Sequence, residues 1–174
     1  MAVSALAAQG MYAGAADAAT TPAEILIIRH AEEPEQDGEP HLSAAGKALA
    51  AALPKLFPAR FAAPAFIFAA KTKSNRAVET VQALADSLHL KVDSQFGDTE
   101  FKALASELLK PAYAGSHLLV CWNHGTIEEL AHAVGVTKPP KWPKSQFDHV
   151  WQVKYAATSA TFSDQSMRLM PGDK

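Results

Sequence analysis

The chain has 174 residues, of which 48% are hydrophobic and 20% are charged, a composition typical of one globular domain with a substantial core. Lys and Arg number 16 against 18 for Asp and Glu, which gives a formal net charge of -2. Binding to a nucleic-acid backbone needs a basic excess on one face, so this balance argues against a nucleic-acid partner.

Residues 1–22 form an Ala-rich arm without Lys or Arg, and residues 23–174 are predicted to form a single domain. A secretory signal has a basic start and an unbroken apolar core, which Gly10 and Gly14 interrupt here. The arm is interpreted either as the remnant of a leader or as a weakly ordered extension. A cytoplasmic location is favoured, with a periplasmic or secreted one if the arm is a leader remnant. No apolar run has the length of a membrane span.

The first predicted strand is the apolar run Glu24–Ile28, and Arg29 and His30 follow at its C-terminal end. Ligands of open α/β sheets bind at that end of the strands. A guanidinium beside an imidazole indicates an anion site that contains a nucleophile, a base or a metal ligand. The acidic loop at residues 32–40 is interpreted as solvated surface or, beside such a site, as a means of repelling the wrong anions.

Ser43 is predicted to cap a helix with a leucine stripe on one face, and Pro54 is expected to kink or end that helix. The run Ala65–Ala70 predicts a second buried strand. Arg76 lies in the first turn of the next helix, where a cation is unfavourable unless an anion binds there. A second cation is therefore expected at the C-terminal edge of the sheet.

A short third strand is predicted at Leu90–Phe96, near the edge of the sheet, and Asp98 and Glu100 follow it at the start of another helix. Carboxylates at a helix start often do no more than complement the helix dipole. One of them could instead be a proton donor that reaches the site. The sequence leaves both interpretations open.

The fourth predicted strand, His117–Trp122, contains the lone cysteine, Cys121, as a core residue. A single cysteine excludes an internal disulfide and a cysteine-based zinc cluster. The stretch Asn123-His124-Gly125 ends this strand, and Thr126 with Glu129 matches a capping box for the next helix. A second histidine is thus predicted between a strand end and a helix start, where anions are favoured.

The C-terminal region predicts an antiparallel hairpin at the sheet edge. Its first strand lies within Asp148–Tyr155, its second within Ala157–Met170, and the stretch Ser163–Gln165 is expected to be a turn. Three aromatic side chains are interpreted as a packing cluster: Trp142, Phe147 and Trp151.

Four motifs of this chain occur in order. They are Arg29-His30-x-Glu32 after a strand, Leu42-Ser43-x-x-Gly46, Ser74-x-Arg76-Ala77-x-x-Thr80, and His124-Gly125 after a strand. In type, order and approximate spacing the motifs resemble those of the histidine phosphatase superfamily, the phosphoglycerate mutase-like proteins. The resemblance implies a three-layer α/β/α sandwich with a mixed, mostly parallel six-stranded sheet. It also implies that the strands ending at His30, Arg76 and His124 are neighbours.

The resemblance further implies a phosphohistidine intermediate on His30 and no metal or cofactor. The phosphoryl group would be held by Arg29, Arg76, His124 and Gly125. Glu100 is the predicted proton donor, with Asp98 as the second choice. Further candidates for the substrate pocket are Glu32, His41, Asp98 and Asn123. The chain departs from the family at Ala31, where the signature usually has glycine.

The chain lacks the long insertions of phosphoglycerate mutases, which favours a small metal-independent phosphatase acting on a phosphomonoester or on phosphohistidine. The expected partner is a phosphorylated small molecule or a phosphoprotein, and the sequence does not indicate the oligomeric state. A mutase-type phosphotransferase and a non-catalytic phospholigand-binding module are the alternatives. A further alternative is a metallohydrolase whose ligands are His30, His41, His124 and the acidic loop.

Overall fold

The computed structural model describes residues 20–35, 38–156 and 159–169, so the predicted N-terminal arm lies outside it except for residues 20–22. The strands are β1 (Glu24–Arg29), β2 (Phe66–Ala69), β3 (Val92–Asp93), β4 (His117–Trp122), β5 (His149–Ala156) and β6 (Ser159–Ser166). The helices are α1 (Ala44–Arg60), α2 (Arg76–Ser87), α3 (Phe101–Leu108), α4 (Ile127–Ala133) and a 3-10 turn at Pro111–Tyr113. None of these described helices combines the length and the apolarity needed to cross a membrane.

The six strands form one sheet in the order β3-β2-β4-β1-β5-β6. Strands β3, β2, β4 and β1 pair in parallel, whereas β5 and β6 add to the sheet as an antiparallel hairpin. All six residues of β1 are buried, as expected for a central parallel strand covered on both faces. Cys121 of β4 is fully buried, as its apolar neighbours predicted. The predicted mixed, mostly parallel sheet is confirmed.

The direction of the connections places the helices on the two faces of this sheet. From β1 through β2 to β3 the chain moves toward one edge, and from β3 it returns to β4 and then to β5. Because such crossovers are right-handed, α1 and α2 cover one face while α3 and α4 cover the other. The packing agrees, since α1 contacts α2 and α3 contacts α4. Neighbouring strands β1 and β4 thus send the chain to opposite faces, which creates the crevice where ligands of such sheets bind.

Helix α1 begins as predicted but does not end as predicted. The Ser43 hydroxyl accepts a hydrogen bond from the Gly46 N–H at 3.0 Å. The prediction that Pro54 could end the helix is wrong, because the helix continues to Arg60. An interior proline costs about 3 kcal/mol. Leu53 and Phe57 beside it are fully buried, and each stabilises the helix by about 1.5–3 kcal/mol.

Two further sequence predictions are wrong. Thr126 does not form a capping box, because its hydroxyl donates to the Asp98 carbonyl at 2.6 Å and accepts from the Trp122 indole at 3.0 Å. The stretch Ser163–Gln165 lies inside β6 instead of forming a turn. Its polar residues are compatible with a strand there because β6 is the last strand of the sheet. The Gln165 amide also donates to the Gln152 side chain across the pair at 2.9 Å.

Candidate active site

The candidate site lies where β1 and β4 end side by side. Arg29 is paired with Trp122, and the His30 N–H donates to the Trp122 carbonyl at 3.2 Å. The chain leaves β1 at His30 and leaves β4 at Asn123 and His124. Strand pairing therefore brings together two histidines that are far apart in the sequence.

His30 is held in one tautomer by its own loop. The residue is 5% exposed, and Nδ1 lies 2.8 Å from the Ala31 carbonyl oxygen. A carbonyl oxygen only accepts hydrogen bonds, so Nδ1 carries the hydrogen and Nε2 of the neutral ring keeps a free lone pair. Burial lowers the pKa of His30 to about 4, and Arg29 and Arg76 act in the same direction. At neutral pH the ring is therefore an uncharged nucleophile or base.

We expect the His30 imidazole to titrate near pH 4 in ¹H–¹⁵N spectra of the histidine rings. An ordinary imidazole titrates near pH 6.5. The unfolded chain binds this proton more readily than the folded chain, so the contribution of His30 disfavours folding as the pH falls from 6.5 to about 4. Arg76→Ala should raise the midpoint, because it removes a nearby positive charge. A wild-type midpoint near 6.5 would contradict the buried environment of the ring.

Arg29 is buried at the end of β1, where its Nη1 donates to the Lys144 carbonyl. Its guanidinium carbon lies 3.9 Å from the centre of the Phe147 ring, a cation–π contact, and this ring is 6.2 Å from that of His30. The interpretation of Phe147 as part of a packing cluster is therefore corrected: the ring centres of Trp142 and Trp151 lie 4.8 Å apart, whereas the Phe147 ring packs against Arg29. The sequence carried no signal for this difference.

A single carboxylate joins the two predicted cations. Glu33 Oε2 contacts Nη1 of Arg76, the first residue of α2, and Glu33 Oε1 lies 3.5 Å from Nη2 of Arg29. The two guanidiniums thus face a common point beside His30. Sequence reasoning did not single out Glu33, and its only signal was membership of the acidic loop.

Three buried nitrogen atoms around this point have no hydrogen-bond partner within the part of the chain that the structure describes. They are Nε of Arg29, Nε of Arg76 and Nδ1 of His124. Each buried polar group left unpaired costs about 1–3 kcal/mol. Burial, and then the charge of Arg29, lowers the pKa of His124, so its ring is neutral at pH 7 and offers one N–H. The arrangement suits an anion with several acceptor oxygens, such as a tetrahedral oxyanion.

The loop after β1 is positioned by two helices. The Ala31 N–H donates to the Thr80 hydroxyl of α2 at 2.8 Å, and this hydroxyl donates to the Arg76 carbonyl at 2.7 Å. On the other side, the Glu32 carboxylate accepts from the Ser43 hydroxyl at 2.8 Å. A Cβ atom at Gly46 would lie 2.3 Å from the Glu32 carbonyl oxygen, so only glycine allows this approach. Glu32, a predicted pocket residue, is thus engaged with the start of α1.

A polar cavity of about 330 Å³ adjoins Arg76 and Asn123. The cavity is lined by Gly38, Glu39, Pro40, Thr72, Lys73, Ser74, Arg76 and Asn123. The Asn123 amide donates to Asp98 Oδ2 at 3.0 Å. Of the two carboxylates considered as proton donors, Asp98 is therefore connected to this cavity.

The remaining predicted site residues, Glu100, His41 and Gly125, are hydrogen-bonded to other groups of the chain. Glu100 is exposed, and its Oε2 accepts from the Gly97 N–H at 2.6 Å. The exposed His41 ring is hydrogen-bonded through Nδ1 to the Glu79 carboxylate of α2. The Gly125 N–H donates to Asn123 Oδ1 at 3.2 Å. Among the described residues, no three His, Cys, Asp or Glu side chains are grouped so that they could hold a metal ion.

No protein-family model matches the sequence, and no curated protein matches it either. Solved structures do resemble the fold. The protein histidine phosphatase SixA complexed with tungstate has a TM-score of 0.59 at 16% identity, over 83% of this chain and 97% of SixA. A mycobacterial glucosyl-3-phosphoglycerate phosphatase with inorganic phosphate scores 0.61 at 15% identity, over 82% and 95%. Phosphoglycerate mutase from Bacillus anthracis scores 0.55 at 12% identity, over 83% and 93%. The chain therefore has the phosphoglycerate mutase-like fold that its motifs predicted.

Proposed function

We propose that this chain is a metal-independent phosphatase that hydrolyses a phosphomonoester or phosphohistidine through a phosphohistidine intermediate on His30. The observation that carries this proposal is a buried neutral imidazole beside two guanidiniums, Arg29 and Arg76, whose Nε–H groups are unpaired within the described residues. The similar structures with tungstate and inorganic phosphate support an oxyanion site in this fold.

In the proposed first step, Nε2 of His30 attacks phosphorus in line, so that the P–N bond forms while the bond to the leaving group breaks. The Nδ1–H bond to the Ala31 carbonyl supports this role, because it orients the ring and stabilises the positive charge that develops on it. Arg29, Arg76 and His124 would donate hydrogen bonds to the three non-bridging oxygens. Water then attacks the phosphohistidine, releasing orthophosphate and the neutral imidazole.

The leaving oxygen needs a proton, for which the geometry supports Asp98 better than Glu100. Asp98 is held by the cavity residue Asn123, whereas Glu100 would first have to leave the Gly97 N–H. In this role Asp98 would protonate the leaving oxygen and afterwards accept a proton from the attacking water. A phosphohistidine substrate depends less on this acid, because imidazole is a good leaving group.

Asp98→Asn is expected to lower kcat about 100-fold or more on alkyl phosphates, whose leaving groups are poor, and only slightly on p-nitrophenyl phosphate. The measurement is steady-state kinetics on both substrate types. Glu100→Gln is the matched control, since it removes a carboxylate only two residues away. Equal losses on both substrates, or a larger effect of Glu100→Gln, would assign the acid elsewhere.

The function is tested by incubating the wild-type protein with phosphorylated metabolites, nucleotides and phosphohistidine peptides in the presence of a chelator. Hydrolysis together with an acid-labile phosphoryl adduct supports the proposal. Activity that is lost in chelator and restored by zinc would indicate a metallohydrolase. Phosphate binding without hydrolysis of any substrate would indicate a binding module, and transfer between phosphoglycerates a mutase.

A further inference from the structure

The Glu33 carboxylate occupies guanidinium groups that a bound phosphoryl group would need as hydrogen-bond donors. Its two carboxylate oxygens face Arg29 and Arg76, the guanidiniums that the proposed function assigns to the phosphoryl oxygens. A carboxylate and a phosphoryl group compete for the same guanidinium N–H groups, because each can accept two parallel hydrogen bonds from the planar guanidinium. The structure therefore shows the two cations already engaged by an anion of the chain itself.

The Glu33 side chain can leave its two guanidinium partners, because nothing else holds it among the described residues. Its side chain is 34% exposed, and within the described residues its only polar partners are the two guanidiniums. The neighbouring Glu32 differs, because its carboxylate is tied to the Ser43 hydroxyl and its carbonyl to the Ser43 N–H. Rotation of the Glu33 side chain toward solvent would release both arginines from the carboxylate without breaking any other polar contact of that side chain within the described residues.

We propose that Glu33 is an internal competitor for the phosphoryl site and thereby sets the affinity of that site for phosphoryl groups. The carboxylate binds Arg29 and Arg76 when no phosphoryl group is present and leaves them when one binds. This inference rests on the proposed function, since it takes the two arginines as the phosphoryl ligands.

Such a competitor has two physical consequences. Without an anion, Arg29 and Arg76 would leave positive charge uncompensated in a largely buried place, so Glu33 stabilises the free protein. The apparent Kd for phosphate equals the intrinsic Kd divided by the fraction of molecules in which the site is open. Glu33 therefore weakens the binding of inorganic phosphate, which is the product, and favours its release.

The test is the Kd of inorganic phosphate, measured by isothermal titration calorimetry on the full chain at constant ionic strength. Glu33→Gln keeps the shape of the side chain and removes its charge, and it is expected to lower the Kd about tenfold. Glu35→Gln is the matched control: it removes the same charge from an exposed position of the same loop, and the Kd should stay within about twofold of wild type.

Thermal unfolding supplies a second readout. Without phosphate, Glu33→Gln should have a lower Tm than wild type, and saturating phosphate should raise its Tm by more than it raises that of wild type. A merely structural Glu33 would lower the Tm of the variant and leave its Kd for phosphate unchanged, and that result would overturn the inference. Equal changes in Glu33→Gln and Glu35→Gln would also overturn it, because they would indicate a diffuse effect of charge.

The Kd of phosphate is measured without turnover. Failure of the Glu33 inference can therefore be distinguished from failure of the proposed function. Wild-type protein that hydrolyses phosphomonoesters, with phosphate bound no more tightly by Glu33→Gln, would overturn the role of Glu33 alone. Tighter binding by Glu33→Gln without hydrolysis of any substrate would support the competition and overturn the phosphatase. Absence of phosphate binding in both proteins would overturn both.

Discussion

His30→Ala is expected to lower kcat by about 10⁴-fold or more on every substrate that the wild-type protein hydrolyses. The substitution removes the Nε2 lone pair, so no P–N bond forms and the reaction loses its two-step course. The acid-labile phosphoryl adduct of the wild-type protein should also disappear. Both are measured on the same preparations, by steady-state kinetics and by trapping the adduct with a ³²P-labelled substrate.

His132→Ala provides the control, because His132 is exposed in the last turn of α4. This variant should keep wild-type kinetics and the adduct. His30→Ala should still bind inorganic phosphate, since Arg29 and Arg76 remain, which separates loss of chemistry from loss of the site. Full activity in His30→Ala, or an adduct that persists in it, would refute the assignment of the nucleophile.

Arg76→Ala is expected to reduce kcat/KM by a factor of about 100 to 1000, equivalent to about 3–4 kcal/mol of transition-state stabilisation. A guanidinium donates two directed hydrogen bonds to the phosphoryl oxygens, whose charge spreads in the transition state. Arg76→Lys keeps the charge and loses the planar fork, so it should recover part of this loss. Arg76 is better suited to this test than Arg29, because Arg29 is fully buried and its loss endangers the fold.

Arg60→Ala is the matched control for this prediction. Arg60 also donates two hydrogen bonds, to the carbonyl groups of Ser166 and Met167, but it takes no part in the candidate site. Its loss should change stability and leave kcat/KM close to wild type. Equal losses of kcat/KM in both variants would assign the effect to the fold instead of to the phosphoryl group. Arg76→Ala should also weaken phosphate binding, which is opposite to the effect expected of Glu33→Gln.

Local physical chemistry explains what could be predicted from the sequence. Apolar runs bounded by polar residues locate β1, β2 and β4, since strands buried on both faces carry few polar side chains. The Ser43 cap follows from a hydroxyl placed before a helical pattern. The strand ends that follow from these runs place Arg29, His30 and His124 at one edge of the sheet.

Two of the predictions that failed were overridden by contacts between residues distant in the sequence. Thr126 has the spacing of a capping box, but its hydroxyl bonds to Trp122 and Asp98, which packing brings close. Pro54 should interrupt a helix, but the burial of the residues around it outweighs the lost hydrogen bond. In each case a contact distant in the sequence competes with the local preference and is the stronger.

The sequence by itself determined the buried strands β1, β2 and β4 and the residue types at their C-terminal ends, because periodicity and strand ends depend on neighbours along the chain. The mixed, mostly parallel sheet was implied only by the resemblance of the motifs to a known family. Only the tertiary structure decided that Glu33 bridges Arg29 and Arg76, that Phe147 packs against Arg29, and that Asp98 is bound to Asn123. These contacts join side chains whose positions depend on how α2, β4 and the loop before β5 pack on the sheet. Distances between these side chains depend on how the elements pack together, and local sequence patterns do not predict that packing.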